Sequence, residues 1–184
     1  MRIITGTARG TRLETLEGED ITRPTTERVK EGIFSAIQFD IEGRRVLDLF
    51  GGCGQLGLEA LSRGAENCVF VDASDKATEL IKRNCQKTKL YPKSLVLCSG
   101  YKEYLKSAAQ RREFDLVFID PPYQSDFALD ALKRLIDGEL LSEGAIVIVE
   151  SDKDEPIECE GYEVVKVYRY GKTFVTKLQK KVNE

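Results

Sequence analysis

The stretch that decides the fold is Asp48-Leu49-Phe50-Gly51-Gly52-Cys53-Gly54-Gln55-Leu56-Gly57. The run RVLDLF at residues 45–50 is typical of a buried strand, and the apolar residues that follow the glycines recur at helical spacing. A glycine-rich turn between such a strand and a helix lies at the carboxyl end of the strand, where open α/β sheets bind their ligands. The segment therefore predicts the first strand, loop and helix of an α/β domain.

Outward from this segment, strand and helix patterns alternate along the chain. Further buried strands are expected at residues 68–73, 94–98, 114–120 and 145–150, with apolar residues at helical spacing between them. Strands that alternate with helices predict a mostly parallel sheet covered on both faces, which is a doubly wound α/β fold. Alternating residues on both sides of Tyr170-Gly171-Lys172 predict an antiparallel hairpin at the sheet edge.

The chain ahead of the first core strand has a different pattern. Residues 2–5 and 11–16 are expected to pair as a small β-hairpin, and Thr25 or Thr26 is expected to cap the helix that follows. We interpret residues 1–184 as a single domain in which residues 1–42 form an N-terminal appendage to the core.

Composition excludes several classes of protein. The 184 residues are 41% apolar and 32% charged, as expected for one folded domain, and they contain no apolar run long enough for a membrane span or a secretion signal. We therefore expect a cytoplasmic protein.

The five cysteines show no CxxC pair, which argues against a disulfide framework and a zinc site. The absence of histidine disfavours Ser-His-Asp hydrolysis and histidine-bound metals, so no metal is expected.

The glycines of the deciding segment suggest a cofactor. Gly52, Gly54 and Gly57 fit GxGxxG, and Asp72 follows Gly52 by 20 residues, at the end of the second predicted strand. Glycines permit a close approach of the backbone to a ligand, and an acid at that place can accept hydrogen bonds from two ribose hydroxyls. The pattern indicates an adenosine cofactor without saying which one; the alternative is tight packing of a strand, turn and helix without a ligand.

A second motif, Asp120-Pro121-Pro122-Tyr123, ends the fourth predicted strand and is expected beside the glycine loop. Two prolines remove two N–H donors, so the backbone here offers acceptors alone. Asp120 and the Pro121 carbonyl are suited to accept both hydrogens of a planar amine while Tyr123 stacks on its ring. This favours methyl transfer to an exocyclic amine over hydride transfer; the alternative is that the prolines merely end a strand.

These motifs resemble a known family. DLFGGCGQLGLEALSRGA (48–65) with DPPY is similar to the class I, S-adenosylmethionine-dependent N-methyltransferases, whose fold is Rossmann-like. RIITGTARGTRL (2–13), RPTTERVKEGIF (23–34), FDLVFIDPPY (114–123) and YGKTFVTKL (170–178) resemble, more closely, the RsmD family of 16S ribosomal RNA guanine-N2 methyltransferases. The resemblance extends over nearly the whole chain.

The resemblance implies roles for individual residues. It implies that S-adenosylmethionine is held by residues of the loop and of the strand ends: Asp48, Phe50, Gly51, Gly52, Gly54, Asp72, Ala73, Ser99, Gly100, Tyr101 and Asp120. It implies that Asp120, Pro121, Pro122 and Tyr123 hold the guanine amine. The family usually has an acid that binds the adenine amine, and this chain has Gly100 at that position. Recognition of the adenine would then depend on Ser99, on the backbone around Gly100 and Tyr101, or on apolar stacking.

The resulting hypothesis is methyl transfer to the N2 amine of a guanine in small-subunit ribosomal RNA, in an assembling or assembled subunit. Residues 1–42 are expected to dock the RNA and residues 43–184 to form the catalytic core, in a monomer. Arg2, Arg9, Arg12 and Arg23 are expected to contact phosphates, because a chain of net charge −3 needs a local basic face to bind a polyanion.

Three alternatives stay open. One is an amino-methyltransferase that acts on DNA adenine or protein glutamine, and another is a nucleotide-binding module without catalysis. A dehydrogenase is the least favoured, because 184 residues leave no room for a separate substrate domain.

Overall fold

A seven-stranded sheet forms the centre of the protein. The computed structural model describes residues 1–16, 24–111, 113–122 and 126–182. Its strands are β1 (Arg45–Leu49), β2 (Asn67–Asp72), β3 (Ser94–Cys98), β4 (Phe114–Ile119), β5 (Leu141–Ser151), β6 (Tyr162–Tyr170) and β7 (Thr173–Lys180). Its helices are α1 (Pro24–Ala36), α2 (Gln55–Ser62), α3 (Asp75–Lys87), α4 (Tyr101–Ala108) and α5 (Phe127–Asp137).

The strand order is β3-β2-β1-β4-β5-β7-β6, and it reverses between β1 and β4. The first five strands are parallel, with Asp48 of β1 opposite Phe70 of β2 on one side and Phe118 of β4 on the other. The loops that follow β1, β2 and β4 therefore leave the sheet side by side at one edge. The predicted doubly wound fold is confirmed.

The C-terminal hairpin is also confirmed. Strands β6 and β7 pair antiparallel, and β7 lies between β6 and β5. Two details differ from expectation. Strand β5 begins at Leu141, four residues before the predicted start at Ala145. The extra residues include Gly144, which has a φ of 69°, and the register of β5 against β4 shifts in this part of the strand. Helix α4, which the sequence patterns did not specify, buries Tyr104, Leu105 and Ala108.

The N-terminal segment is less regular than predicted. Its hairpin has an isolated β-bridge between Arg2 and Arg12, with backbone hydrogen bonds from Ile3 N to Thr11 O (2.9 Å), from Gly10 N to Ile3 O (2.8 Å) and from Leu13 N to Met1 O (3.0 Å). Helix α1 begins at Pro24, so the predicted N-cap at Thr25 or Thr26 is wrong: both residues lie within the first turn. Proline suits that position, because a first-turn residue needs no N–H partner.

A buried carboxylate holds the N-terminal segment in place. Glu59 of α2 is fully buried and accepts hydrogen bonds from Ile4 N (2.8 Å) and Thr5 N (3.0 Å). Its charge is balanced by Arg63 at 2.8 Å and by the buried Lys30 of α1 at 3.5 Å. The start of the chain is thereby fixed to α1 and α2, since a buried charge is tolerated when it is paired and hydrogen-bonded.

The apolar core forms one cluster on each face of the sheet. Residues of α1, α2 and α3 make the first, which also takes in Ile3 and Leu13 from the N-terminal segment. Residues of α4 and α5 make the second. The N-terminal segment is therefore packed into the core. Within the described ranges, every helix is too short or too polar to cross a membrane.

Candidate active site

A cleft of about 1450 Å³ lies along the carboxyl edge of the parallel strands. Most of the predicted site residues line it: Asp48, Phe50, Gly51, Gly52, Asp72, Ala73, Ser99, Gly100, Tyr101, Asp120, Pro121 and Pro122. Its rim is formed by Met1, Thr15 and Leu16 of the N-terminal segment and by the β6–β7 turn at Gly171 and Lys172. The fold thus brings the two sequence motifs, the N-terminal segment and the turn of the C-terminal hairpin to one cavity.

The glycine loop is fixed by backbone hydrogen bonds. Phe50 N and Gly51 N both donate to Val71 O, at 3.0 and 2.9 Å. Phe50 adopts a φ of 71°, the left-handed region that residues with a side chain seldom occupy. At Gly52, whose φ is 57°, a Cβ atom would meet nothing within 4 Å, so this part of the loop is open toward the cleft.

The other two glycines of GxGxxG have structural roles. Gly54 is not among the residues that line the cleft; it caps α2 in the left-handed conformation, with a φ of 80°. At Gly57 a Cβ atom would overlap the Phe70 ring and Cys68 Sγ, so glycine is needed there for close packing of α2 on β2. Gly57 N also donates to Asp48 Oδ2 at 2.9 Å.

The Asp72 carboxylate is oriented by two backbone donors. Gly52 N donates to Asp72 Oδ2 at 3.0 Å, and Ser74 N donates to Asp72 Oδ1 at 2.9 Å. Each carboxylate oxygen retains a further lone pair, because an ionised carboxylate can accept about four hydrogen bonds. The arrangement is suited to two adjacent hydroxyls of a ribose.

Carboxylates dominate the electrostatics of the cleft. Asp48 is only 2% exposed, and this burial raises its pKa to about 7, with the charges of Asp120 and Asp72 adding to the increase. The Gly57 hydrogen bond acts in the opposite direction. Three acidic side chains at one sheet edge favour a ligand that carries positive charge.

Aromatic rings form an apolar side wall of the cleft. The Tyr101 ring lies 5.1 Å from the Phe50 ring and 5.3 Å from the Phe127 ring, measured between centroids. The Tyr101 hydroxyl donates to Asp130 Oδ2 at 2.8 Å, and burial together with this bond raises the pKa of Tyr101 to about 12. The wall offers flat apolar surface of the kind on which a heterocyclic base stacks.

The lining residues that the sequence did not predict include Gln55, Glu103, Phe127 and Lys172. Gln55 Oε1 is buried without a hydrogen-bond partner among the described residues. A buried acceptor without a donor is costly, so this atom is suited to a donor on a bound ligand. Its place directly after GGCG was the only sequence signal that pointed to it.

The predicted RNA-binding residues are only partly described. Tyr123 and Arg23 lie outside the described residues. Arg2, Arg9 and Arg12 are exposed, and the salt bridges found within the described ranges involve none of them. The bridge between Arg2 and Arg12 places two of these cations side by side near the rim at Met1.

The described residues show no group of three or more acidic, cysteine or histidine side chains arranged to hold a metal ion. Cys53, in the glycine loop, is buried and forms no disulfide bond with another described residue.

The strand order, the glycine loop at its point of reversal and the acidic cleft define a protein of Rossmann-like methyltransferase fold. The chain belongs to the family described as "Conserved hypothetical protein 95", whose model matches residues 1–179. This match, together with the relatives below, confirms the expected RsmD family.

Three relatives illustrate the match. YlbH of Bacillus subtilis (strain 168) is 42% identical over 156 residues, which are 84% of each chain. "Ribosomal RNA small subunit methyltransferase D" of Haemophilus influenzae is 35% identical over 158 residues, 85% of this chain and 81% of that protein. The solved structure of yhhF from Escherichia coli matches this protein with a TM-score of 0.87 and 28% sequence identity. The match covers 100% of this chain and 99% of the yhhF chain.

Proposed function

We propose that this protein transfers a methyl group from S-adenosylmethionine to the N2 amine of a guanine in small-subunit ribosomal RNA. The observation that carries the proposal is the juxtaposition of two unlike walls in one cleft. One wall holds the glycine loop and the oriented Asp72 carboxylate; the other is the acceptor edge of Asp120, Pro121 and Pro122. Family membership and the name of the Haemophilus relative support the same reaction class.

The residues of the first wall fit the cofactor. S-Adenosylmethionine supplies a methyl group bound to a positively charged sulfur. Asp72 accepts the ribose hydroxyls, and the acidic surroundings of Asp48 and Asp120 favour the cationic sulfonium and ammonium groups. The open backbone at Gly52 admits the ligand, and Gln55 Oε1 accepts a hydrogen from the ammonium. A dinucleotide fits poorly, because its two phosphates would face these carboxylates.

The second wall fits an amine nucleophile. Asp120 follows β4 directly, and β4 pairs with β1, so its carboxylate lies across the sheet edge from the glycine loop. The prolines after it carry no N–H that would compete for the amine lone pair. Asp120 and the Pro121 carbonyl hold the two amine hydrogens and stabilise the positive charge that develops on nitrogen. Aligning the two reactants accounts for about 7 to 11 kcal/mol of the barrier.

The target base must leave its stack to reach this edge, which costs a few kcal/mol. Stacking on Tyr123 offsets about 1 to 3 kcal/mol of that cost. Arg2, Arg9, Arg12 and Arg23 contact RNA phosphates, so residues 1–42 dock the substrate beside the core of residues 43–184.

The test is a transfer assay with radiolabelled S-adenosylmethionine. Small subunits, naked ribosomal RNA, DNA and a protein mixture are incubated in parallel, and the labelled product is digested and compared with N2-methylguanosine. We expect label in small-subunit RNA as N2-methylguanosine, and labelling about 10² to 10³-fold slower with Asp120→Ala under the same conditions. Label in DNA or protein, or a different methylated nucleoside, would contradict the proposal. A wild-type protein that binds the cofactor without transfer to any substrate would support a binding module instead.

A further inference from the structure

The junction between β3 and α4 continues the cofactor side of the cleft. Ser99 N donates to Asp72 O at 2.9 Å, which holds this junction against the end of β2. Gly100 is the N-cap residue of α4, with φ −63° and ψ 147°, a conformation open to any residue. The backbone therefore does not require glycine here.

The space beside Gly100 is taken by a side chain from the first turn of α4. A Cβ atom at position 100 would overlap Glu103 Oε2, so the Glu103 carboxylate occupies the space that a side chain at position 100 would take. Glu103 lines the cleft together with Tyr101 and Asp72. Glu103 is exposed, and within the described part of the chain neither a hydrogen bond nor an ion pair holds its carboxylate, so a ligand in the cleft can reach it.

The location of Glu103 points to one part of the ligand. With the ribose on Asp72, at the end of β2, the base extends toward one of the two neighbouring strand ends. On the β1 side stands the glycine loop, whereas β3, the outer strand, leads to Tyr101 and Glu103. Tyr101 offers a ring face to the base. An adenine carries one exocyclic amine, and a carboxylate is the strongest acceptor for it.

We propose that Glu103 recognises the adenine amine of the cofactor, so that a side chain from the first turn of α4 serves in place of one at position 100. This inference rests on the proposed function, because it assumes that S-adenosylmethionine occupies the cleft. The competing explanation is a capping box, in which a glutamate at this helical position binds the N-cap N–H and stabilises the helix alone.

The experiment measures ligand discrimination by calorimetric titration. The probes are S-adenosylhomocysteine and S-inosylhomocysteine, in which a carbonyl oxygen replaces the 6-amine of the base. Wild-type protein should prefer the adenosyl ligand by about tenfold, as expected for loss of one hydrogen bond to a charged acceptor. Glu103→Ala should lose most of this preference, mainly through weaker binding of the adenosyl ligand. Glu103→Gln keeps an acceptor oxygen and should retain part of the preference for the adenosyl ligand.

A rescue variant separates recognition from folding. Glu103→Ala combined with Gly100→Asp returns a carboxylate to the same space from the neighbouring backbone position, and it should restore the preference. Glu79→Ala, which removes an exposed carboxylate from α3, is the matched control and should leave the preference unchanged.

Two results would overturn the inference. One is an unchanged preference in Glu103→Ala; the other is an equal loss of affinity for both ligands with a lowered melting temperature, which is the result expected for a helix cap. Failure of the cofactor assignment, the part of the proposed function on which the inference rests, is recognised separately, since wild-type protein would then bind neither ligand.

Discussion

Neutralising Asp48 should change how the stability of the protein depends on pH. Burial raises the pKa of this carboxyl to about 7 in the folded protein, from an ordinary value of 3.8. Between these two values the folded state keeps a proton that the unfolded state has released. Stability therefore falls as the pH rises through this window, and it stops falling once Asp48 is ionised in both states.

The size of the effect follows from one proton per molecule. A difference of one bound proton changes the free energy of unfolding by about 1.4 kcal/mol per pH unit. From about pH 5 to pH 7, Asp48 should lower that free energy by about 2 kcal/mol, with little further change above about pH 8. Asp48→Asn removes the titration but keeps an oxygen that can accept the hydrogen bond from Gly57 N.

The assay is urea unfolding of wild-type protein and Asp48→Asn at several pH values. Other carboxylates titrate in both proteins, so the difference between the two isolates Asp48. Relative to wild type, the free energy of unfolding of Asp48→Asn should increase by about 2 kcal/mol between about pH 5 and pH 7. A difference that is constant over this range would refute the argument, because it would show that Asp48 is ionised throughout.

The same group should couple cofactor binding to pH. The ammonium group of S-adenosylhomocysteine favours ionised Asp48, so the affinity for this ligand should rise from about pH 6 and level off above about pH 8. In Asp48→Asn the affinity should be weaker and its pH dependence reduced. Because Asp120 adds to the raised pKa of Asp48, Asp120→Asn should move the rise to lower pH.

Three further predictions concern the other proposed roles. Asp72→Ala should weaken binding of S-adenosylhomocysteine by about 1 to 3 kcal/mol, measured by calorimetry, because two hydroxyls lose their acceptor; unchanged affinity would remove Asp72 from the site. Asp120→Ala should lower single-turnover transfer by about 10² to 10³-fold at saturating cofactor, with affinity within a few-fold of wild type and partial activity in Asp120→Asn; a near-native rate in the Ala variant would exclude the role. Changing Arg2, Arg9 and Arg12 together to Ala should reduce the slope of the logarithm of the RNA-binding constant against the logarithm of the salt concentration by about 0.7 to 0.9 per lost phosphate contact. An unaltered slope would show that these arginines are ordinary surface residues.

Features encoded in short contiguous segments were predictable from the sequence. Buried parallel strands are continuous apolar runs, so the five core strands and the reversal of order could be inferred, and with them the meeting of Asp48, Asp72 and Asp120 at one edge. The N-terminal hairpin is shorter than predicted, because Ile4 N and Thr5 N donate to Glu59, more than 50 residues away in the chain, instead of to the opposite arm.

The missed residues of the site depend on tertiary geometry. Phe127 belongs to α5 and Glu103 to α4, the two helices that cover the same face of the sheet. No local sequence pattern distinguishes these two residues from the surface residues of their helices. At position 100 the sequence shows a glycine where the family resemblance leads us to expect an acid. The sequence alone did not show that the carboxylate three residues later folds back into that space.

Helix α2 connects the two halves of the proposed reaction. Its first turn follows directly from the glycine loop, whose Gly54 caps it, while Glu59 and Ser62 near its other end bind the backbone of the N-terminal segment. A helix of eight residues is about 12 Å long and does not bend easily. The segment that carries Arg2, Arg9 and Arg12 is therefore set at a fixed distance from the loop that would hold the cofactor. Rigid placement of this kind is what a transfer between two separately bound molecules needs, because small displacements of either one reduce the rate steeply.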